Sequence, residues 1–154
     1  MNKCFIGWSV LVIAVLINGC SWFSKPVEIT SQSLTGTWIP SSASSLSSEI
    51  GDENSLLKNT QLILSENDSF ELRNMPNCWK TPSLECSVTS SSYNGAWSMY
   101  KDKNHYYSLE LDIKIPHESR SIVVRSSGND ILLYFYVGDP DTGRKIILTK
   151  QKSE

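Results

Sequence analysis

Past residue 34 the chain is written in short runs whose apolar side chains fall on every second position. Leu109, Leu111 and Ile113 alternate with Ser108, Glu110, Asp112 and Lys114, and Phe70 and Leu72 alternate with Glu71 and Arg73. A period of two places one set of side chains on a core and the other in water, as a strand with one wet face requires. Such runs predict strands over residues 34–39, 61–64, 69–73, 93–100, 106–113, 121–125, 130–137 and 145–150. Turn-forming residues separate them: Glu66-Asn67-Asp68, Lys101-Asp102-Lys103-Asn104, Ser126-Ser127-Gly128-Asn129, and the stretch from Gly138 to Gly143. No window carries a 3.6-residue apolar period of helical length.

Short connections pair consecutive strands antiparallel, and a single open sheet of this size would leave its apolar face in water. The sheet must therefore close into a barrel or fold over as a sandwich, and the barrel is expected. Ile131-Leu132-Leu133-Tyr134-Phe135-Tyr136-Val137 is apolar or aromatic on both faces. One set fills the core; the other, Leu132, Tyr134 and Tyr136, then lies outside, under local structure or under a partner. The Ser-rich stretch 41–55 is too polar for a central strand and too long for a tight turn, and it reads as a lid or an unstructured loop.

The start of the chain follows different rules. Lys3 and the amino terminus precede an apolar segment of about sixteen residues, short of the ~20 that a spanning helix needs, and Asn18 and Gly19 close it. A positive start, an apolar middle and a small-residue exit make the three-part pattern of a secretory signal. The exit Ile17-Asn18-Gly19-Cys20 resembles the lipobox of bacterial lipoproteins. That resemblance implies cleavage before Cys20 and a diacylglycerol on its thiol, with acylation of the new amine; several acyl chains hold a protein on a membrane where one does not. An uncleaved signal-anchor is the competing reading. Ser21, where Asp would retain such a protein at the inner membrane, implies the outer membrane, facing the periplasm. The expected organisation is a signal peptide over residues 1–19, a lipidated tether over 20–33 and one domain over 34–154.

With Cys4 lost in the signal and Cys20 carrying lipid, Cys78 and Cys86 remain as a pair in an oxidising compartment, where a disulfide is the default. Closing that nine-residue loop would remove unfolded-state entropy worth about 2.6 kcal/mol. A metal site with His105 and His117 is the sharper alternative, but the gap between the cysteines exceeds the spacing usual for zinc, and no metal is expected. No cofactor is expected either. Asp139-Pro140-Asp141 starts like a calcium loop yet lacks the later oxygen ligands, so it reads as turn chemistry.

Leu34-Thr35-Gly36-Thr37-Trp38 on the first predicted strand resembles the Gly-x-Trp signature of lipocalins and the wider calycin-like barrels, and Asn94-Gly95-Ala96-Trp97 repeats it on the fourth. The resemblance implies an eight-stranded antiparallel lipocalin-like barrel in which Gly36, Trp38, Gly95 and Trp97 belong to the core. The glycines would admit a close backbone approach and the rings would close the floor.

With 16 acidic against 14 basic residues, a net charge of −2 and no basic cluster, the chain lacks the electrostatic footprint of nucleic-acid binding. Two histidines, no Gly-x-Ser-x-Gly elbow and no ligand spacing leave nucleophile and base unassigned, so no enzyme is expected. The expected role is non-enzymatic binding: of a small apolar ligand in the barrel first, of an envelope protein second. For the second, the candidate surface is Trp79, Tyr134 and Tyr136.

Overall fold

The computed structural model describes residues 27–44, 57–76, 90–104, 106–114, 118–138 and 140–152. The eight predicted strands form, joined in sequence order into a closed antiparallel barrel. They are β1 (Gly36–Pro40), β2 (Gln61–Leu64), β3 (Ser69–Pro76), β4 (Ser90–Lys101), β5 (Tyr107–Ile113), β6 (Glu118–Ser127), β7 (Asp130–Tyr136) and β8 (Lys145–Lys150). Closure is made by β1 against β8, with Trp38 opposite Lys150 and Pro40 opposite Leu148. Pairing β1 to both β2 and β8 leaves no free edge on which another strand could template.

Alternation decides what the barrel holds. Leu109, Leu111 and Ile113 of β5 and Phe70 and Leu72 of β3 point inward and are buried, as their spacing predicts. Leu62, Leu72, Leu109, Leu111, Ile122, Leu133, Ile146 and Leu148 are 0% exposed, so their side chains meet other protein atoms rather than solvent. The large rings Phe70, Trp97 and Phe135 are buried among them, and Met99 packs against the same cluster. Among the described residues the barrel interior is packed side chain on side chain.

Short connections join β2 to β3 (residues 65–68), β4 to β5 (102–106) and β6 to β7 (128–129) at one end of the barrel, the floor. Into this floor comes a one-turn helix, α1 (Ser31–Leu34), where the pattern predicts the start of a strand at residue 34. Thr30 and Ser33 cap it reciprocally, each side chain accepting the other's backbone N–H. Leu34 is fully buried and Ile29 nearly so, so packed structure begins within the stretch expected to be tether. Polar neighbours hide that contribution from a periodicity argument.

Three strands run longer than their apolar patterns, β4 spanning Ser90–Lys101 rather than 93–100. β3 continues beyond residue 73 through a register shift between Leu72 and Met75, with Asn74 in the left-handed region at φ 52°. The bulge is held from outside: the Thr60 hydroxyl donates to the Asn74 carbonyl at 2.8 Å, and the Asn74 amide donates to the Asn59 carbonyl at 3.0 Å. β6 spans Glu118–Ser127 rather than 121–125 because Glu118 and Arg120 occupy inward positions opposite Ile113 and Leu111.

The glycines of the two Gly-x-Trp elements differ in what they admit. A Cβ on Gly95 would lie 1.8 Å from the Asp112 carbonyl oxygen and 2.9 Å from the Phe70 ring, so backbone itself blocks it. At Gly36, with φ 126°, the obstacle is the flexible stem of Lys150 at 2.8 Å together with backbone strain. Gly95→Ala is expected to destabilise the domain by about 3 kcal/mol or more in urea denaturation. Gly128→Ala, where φ is 60° and nothing lies within 4 Å, should cost about 1 kcal/mol. Equal costs at the two positions would refute the close approach of β4 and β5.

Candidate functional site

Both Gly-x-Trp elements build the floor. The Trp38 indole N–H donates to the Leu34 carbonyl at 2.8 Å, pinning α1 across the barrel, and the Trp97 indole N–H donates to the Ser65 carbonyl at 3.1 Å, pinning the β2–β3 turn. The Asp68 carbonyl accepts from the Trp97 backbone N–H at 2.8 Å. Lys150 crosses the same floor and donates to the Ser33 carbonyl at 3.0 Å, so the last strand also holds the helix. A buried ring with a bonded N–H is a structural use of tryptophan, and it serves closure rather than ligand stacking. The closed eight-stranded antiparallel barrel is compatible with a lipocalin-like form.

The opposite end is the mouth. There Glu118 and Arg120 face inward and pair at 3.2 Å, and Arg144, in the β7–β8 connection at the same end, is almost wholly buried. Apolar side chains fill the barrel below them. Sequence reasoning missed Glu118 and Arg120. Their signal was parity: counting back by two from Ile122 and Val124 gives 120 and 118, but charges at those positions read as the end of a strand.

The outer wall carries the third arrangement. Ile131, Leu133, Phe135 and Val137 enter the core, while Leu132, Tyr134 and Tyr136 face outward and are half-buried, the division the sequence predicts. Tyr134 and Tyr136 stack with ring centroids 6.5 Å apart. Arg125 from β6 lies over the Tyr134 ring at 5.4 Å, and Lys145 from β8 lies over it at 5.6 Å. Neither cation was legible as a partner, because the meeting depends on register: Leu132 stands opposite Arg125 and Tyr136 opposite Lys145. Ser41 and Ser44 cover the adjoining strand, the Ser41 N–H donating to the Ile147 carbonyl at 2.7 Å and the Ile147 N–H to the Ser44 hydroxyl at 3.0 Å. The first residues of the Ser-rich stretch thus serve as an extension of β1.

Elsewhere on the outer surface Arg73 grips Glu71 with two 2.7 Å hydrogen bonds, which hold the Glu71 carboxyl below the usual carboxylate range. The pair is on the exposed surface, and such pairs contribute little to stability. Among the described residues no three His, Cys, Asp or Glu side chains come close enough to hold a metal ion, and no helix is long and apolar enough to cross a membrane. Cys20, Cys78, Trp79, Cys86, His105, His117 and Asp139 lie outside the described residues, so the lipid anchor, the disulfide and the Trp79 surface have no structural description.

Comparison with protein families, with curated proteins and with solved structures finds no match to this chain. What this chain can bind is therefore set by the barrel itself. If the division of β7 into two faces is right, Phe135→Ala should cost about 3–5 kcal/mol in chemical denaturation. Tyr136→Ser, on the outer wall, is expected to cost under about 1.5 kcal/mol. A large loss from Tyr136→Ser would mean that its ring belongs to the core.

Proposed function

We propose that this chain is a lipid-anchored envelope protein whose barrel is a non-enzymatic scaffold for binding another protein. The observation that favours this reading is the packed interior, since a small apolar ligand needs an enclosed space to remove its surface from water. An eight-stranded barrel is just wide enough for side chains to fill or for one small ligand to occupy, and here aromatic and branched side chains take the room. Binding then belongs to the outside.

On that outside, the Tyr134 and Tyr136 rings framed by Arg125 and Lys145 offer rigid aromatic area beside positive charge. Aromatic residues and arginine are the types enriched at protein interfaces, and the flanking cations suit an acidic partner surface. An inhibitor of an envelope enzyme and an accessory subunit of an envelope assembly both fit this chemistry.

The anchoring half of the reading comes from the sequence. Residues 1–19 are a signal peptide resembling that of bacterial lipoproteins, Cys20 carries the acyl chains, and Ser21 directs the protein to the periplasmic face of the outer membrane. Cys78 and Cys86 form a disulfide in that oxidising compartment.

The test is affinity capture of the full-length protein from envelope extract, combined with native mass spectrometry of what elutes. A stoichiometric acidic protein is expected, and its recovery should fall at least about tenfold with Tyr134→Asp, which adds a charge the partner repels. A retained small-molecule mass with no protein partner would contradict the scaffold reading and restore the ligand-binding one.

A further inference from the structure

Two tyrosines stand apart from the rest of the described surface. Tyr100 and Tyr106 are 64% and 69% exposed, and they are the large hydrophobic side chains that the described surface leaves most open. Both belong to the β4–β5 hairpin at the floor, and Lys101 and Lys103 lie between them in sequence. The hairpin tip is well formed: the Asp102 N–H donates to the Tyr106 carbonyl, and the Asp102 carboxylate accepts from the Asn104 and Tyr106 backbone N–H groups, each at 2.8 Å. That carboxylate is turned onto the turn's own backbone, while Lys103 has no comparable task.

The hairpin also reaches further than its neighbour. β4 runs on from Ala96, the partner of Ser69, to Lys101, the partner of Tyr107. Asp68 is level with Trp97 through their backbone hydrogen bond, so the acidic Glu66–Asp68 turn stops about 13 Å short of Lys101 along the strand. The hairpin carries Lys101, whose ammonium lies over the Tyr107 ring at 5.0 Å, and Lys103; its own acid, Asp102, is bonded within the turn, the Glu66–Asp68 acids lie back from it, and Glu28 lines the groove beside Tyr106.

The chain enters the barrel at the same place. Val27 and Tyr106 line one groove of about 650 Å³, together with Tyr107, Val124 and Arg125. Position 20 is only seven residues before Val27, so a fully extended chain puts the floor within about 25 Å of whatever holds Cys20.

We infer that the β4–β5 end of the barrel lies against the membrane that holds the lipid anchor, with Tyr100 and Tyr106 in the headgroup layer and Lys101 and Lys103 against anionic lipid phosphates. The inference rests on the acylation of Cys20 proposed above. Tyrosine favours the headgroup region because its ring is apolar and its hydroxyl stays wet, and lysine reaches outward to phosphate on an apolar stem. A short tether multiplies such weak contacts, because the hairpin is held at high effective concentration above the surface. With the floor docked, the Glu118 and Arg120 mouth faces away from the bilayer, toward whatever approaches from the periplasm.

The experiment places the photoreactive residue p-benzoylphenylalanine at position 106, or at position 136 for reference, in the full-length protein in cells. Irradiation is followed by mass spectrometry of the adducts and of the mature N-terminus in the same samples. The expected result is an acylated Cys20 with lipid adducts at least about fivefold more abundant from position 106 than from 136. In the position-106 protein, charge reversal by Lys101→Glu with Lys103→Glu should lower the lipid adduct about fivefold or more. Acylated Cys20 with equal lipid adducts from both positions, or with protein adducts alone at 106, overturns the docked floor and leaves the anchor standing. Unmodified Cys20 overturns the anchor itself and the inference with it.

Discussion

Everything in this barrel depends on how closely β4 and β5 approach at Gly95. The Asp112 carbonyl occupies the space where any side chain would begin, and the Phe70 ring closes over the same spot. That approach lets β4 carry Trp97 inward two residues later, where its indole ties the β2–β3 turn to the floor. On the other side of the floor Gly36 and Trp38 repeat the construction against Lys150 and α1. Two glycines provide the curvature and two tryptophans use it.

Closure of the sheet and filling of the barrel are one event physically. A closed antiparallel sheet has no unpaired edge, and its inward side chains must then share one volume. Branched and aromatic residues at those positions leave no surface for water on the central layers, so the domain's stability and its lack of internal space have the same cause. What the protein offers to the world is consequently its outer wall and its two ends. The ends differ: apolar closure and an exposed tyrosine-lysine hairpin at the floor, an inward charged pair at the mouth.

How much of this could be read beforehand follows from which signals are local. The strands β2 and β8 coincide with their apolar runs, and the two faces of β7 separate cleanly, because period-two alternation is a property of adjacent residues. Helix α1 escaped because four residues cannot display a helical period; only the Thr30 and Ser33 capping pair hinted at it. The inward placement of Glu118 and Arg120 ran against the rule that charges face water, a rule that fails at a barrel mouth where solvent reaches inside. The grouping of Arg125 and Lys145 around Tyr134 required the register of three strands, which no single stretch encodes.

The barrel interior is solid, and methyl-detected NMR under xenon pressure tests this most directly, because xenon enters dry apolar cavities without needing a polar partner. The methyl signals of Leu109, Ile122 and Leu133, which lie below the charged mouth pair, should show no dose-dependent shift. Saturable shifts at those three residues would reveal a hollow barrel and contradict the account.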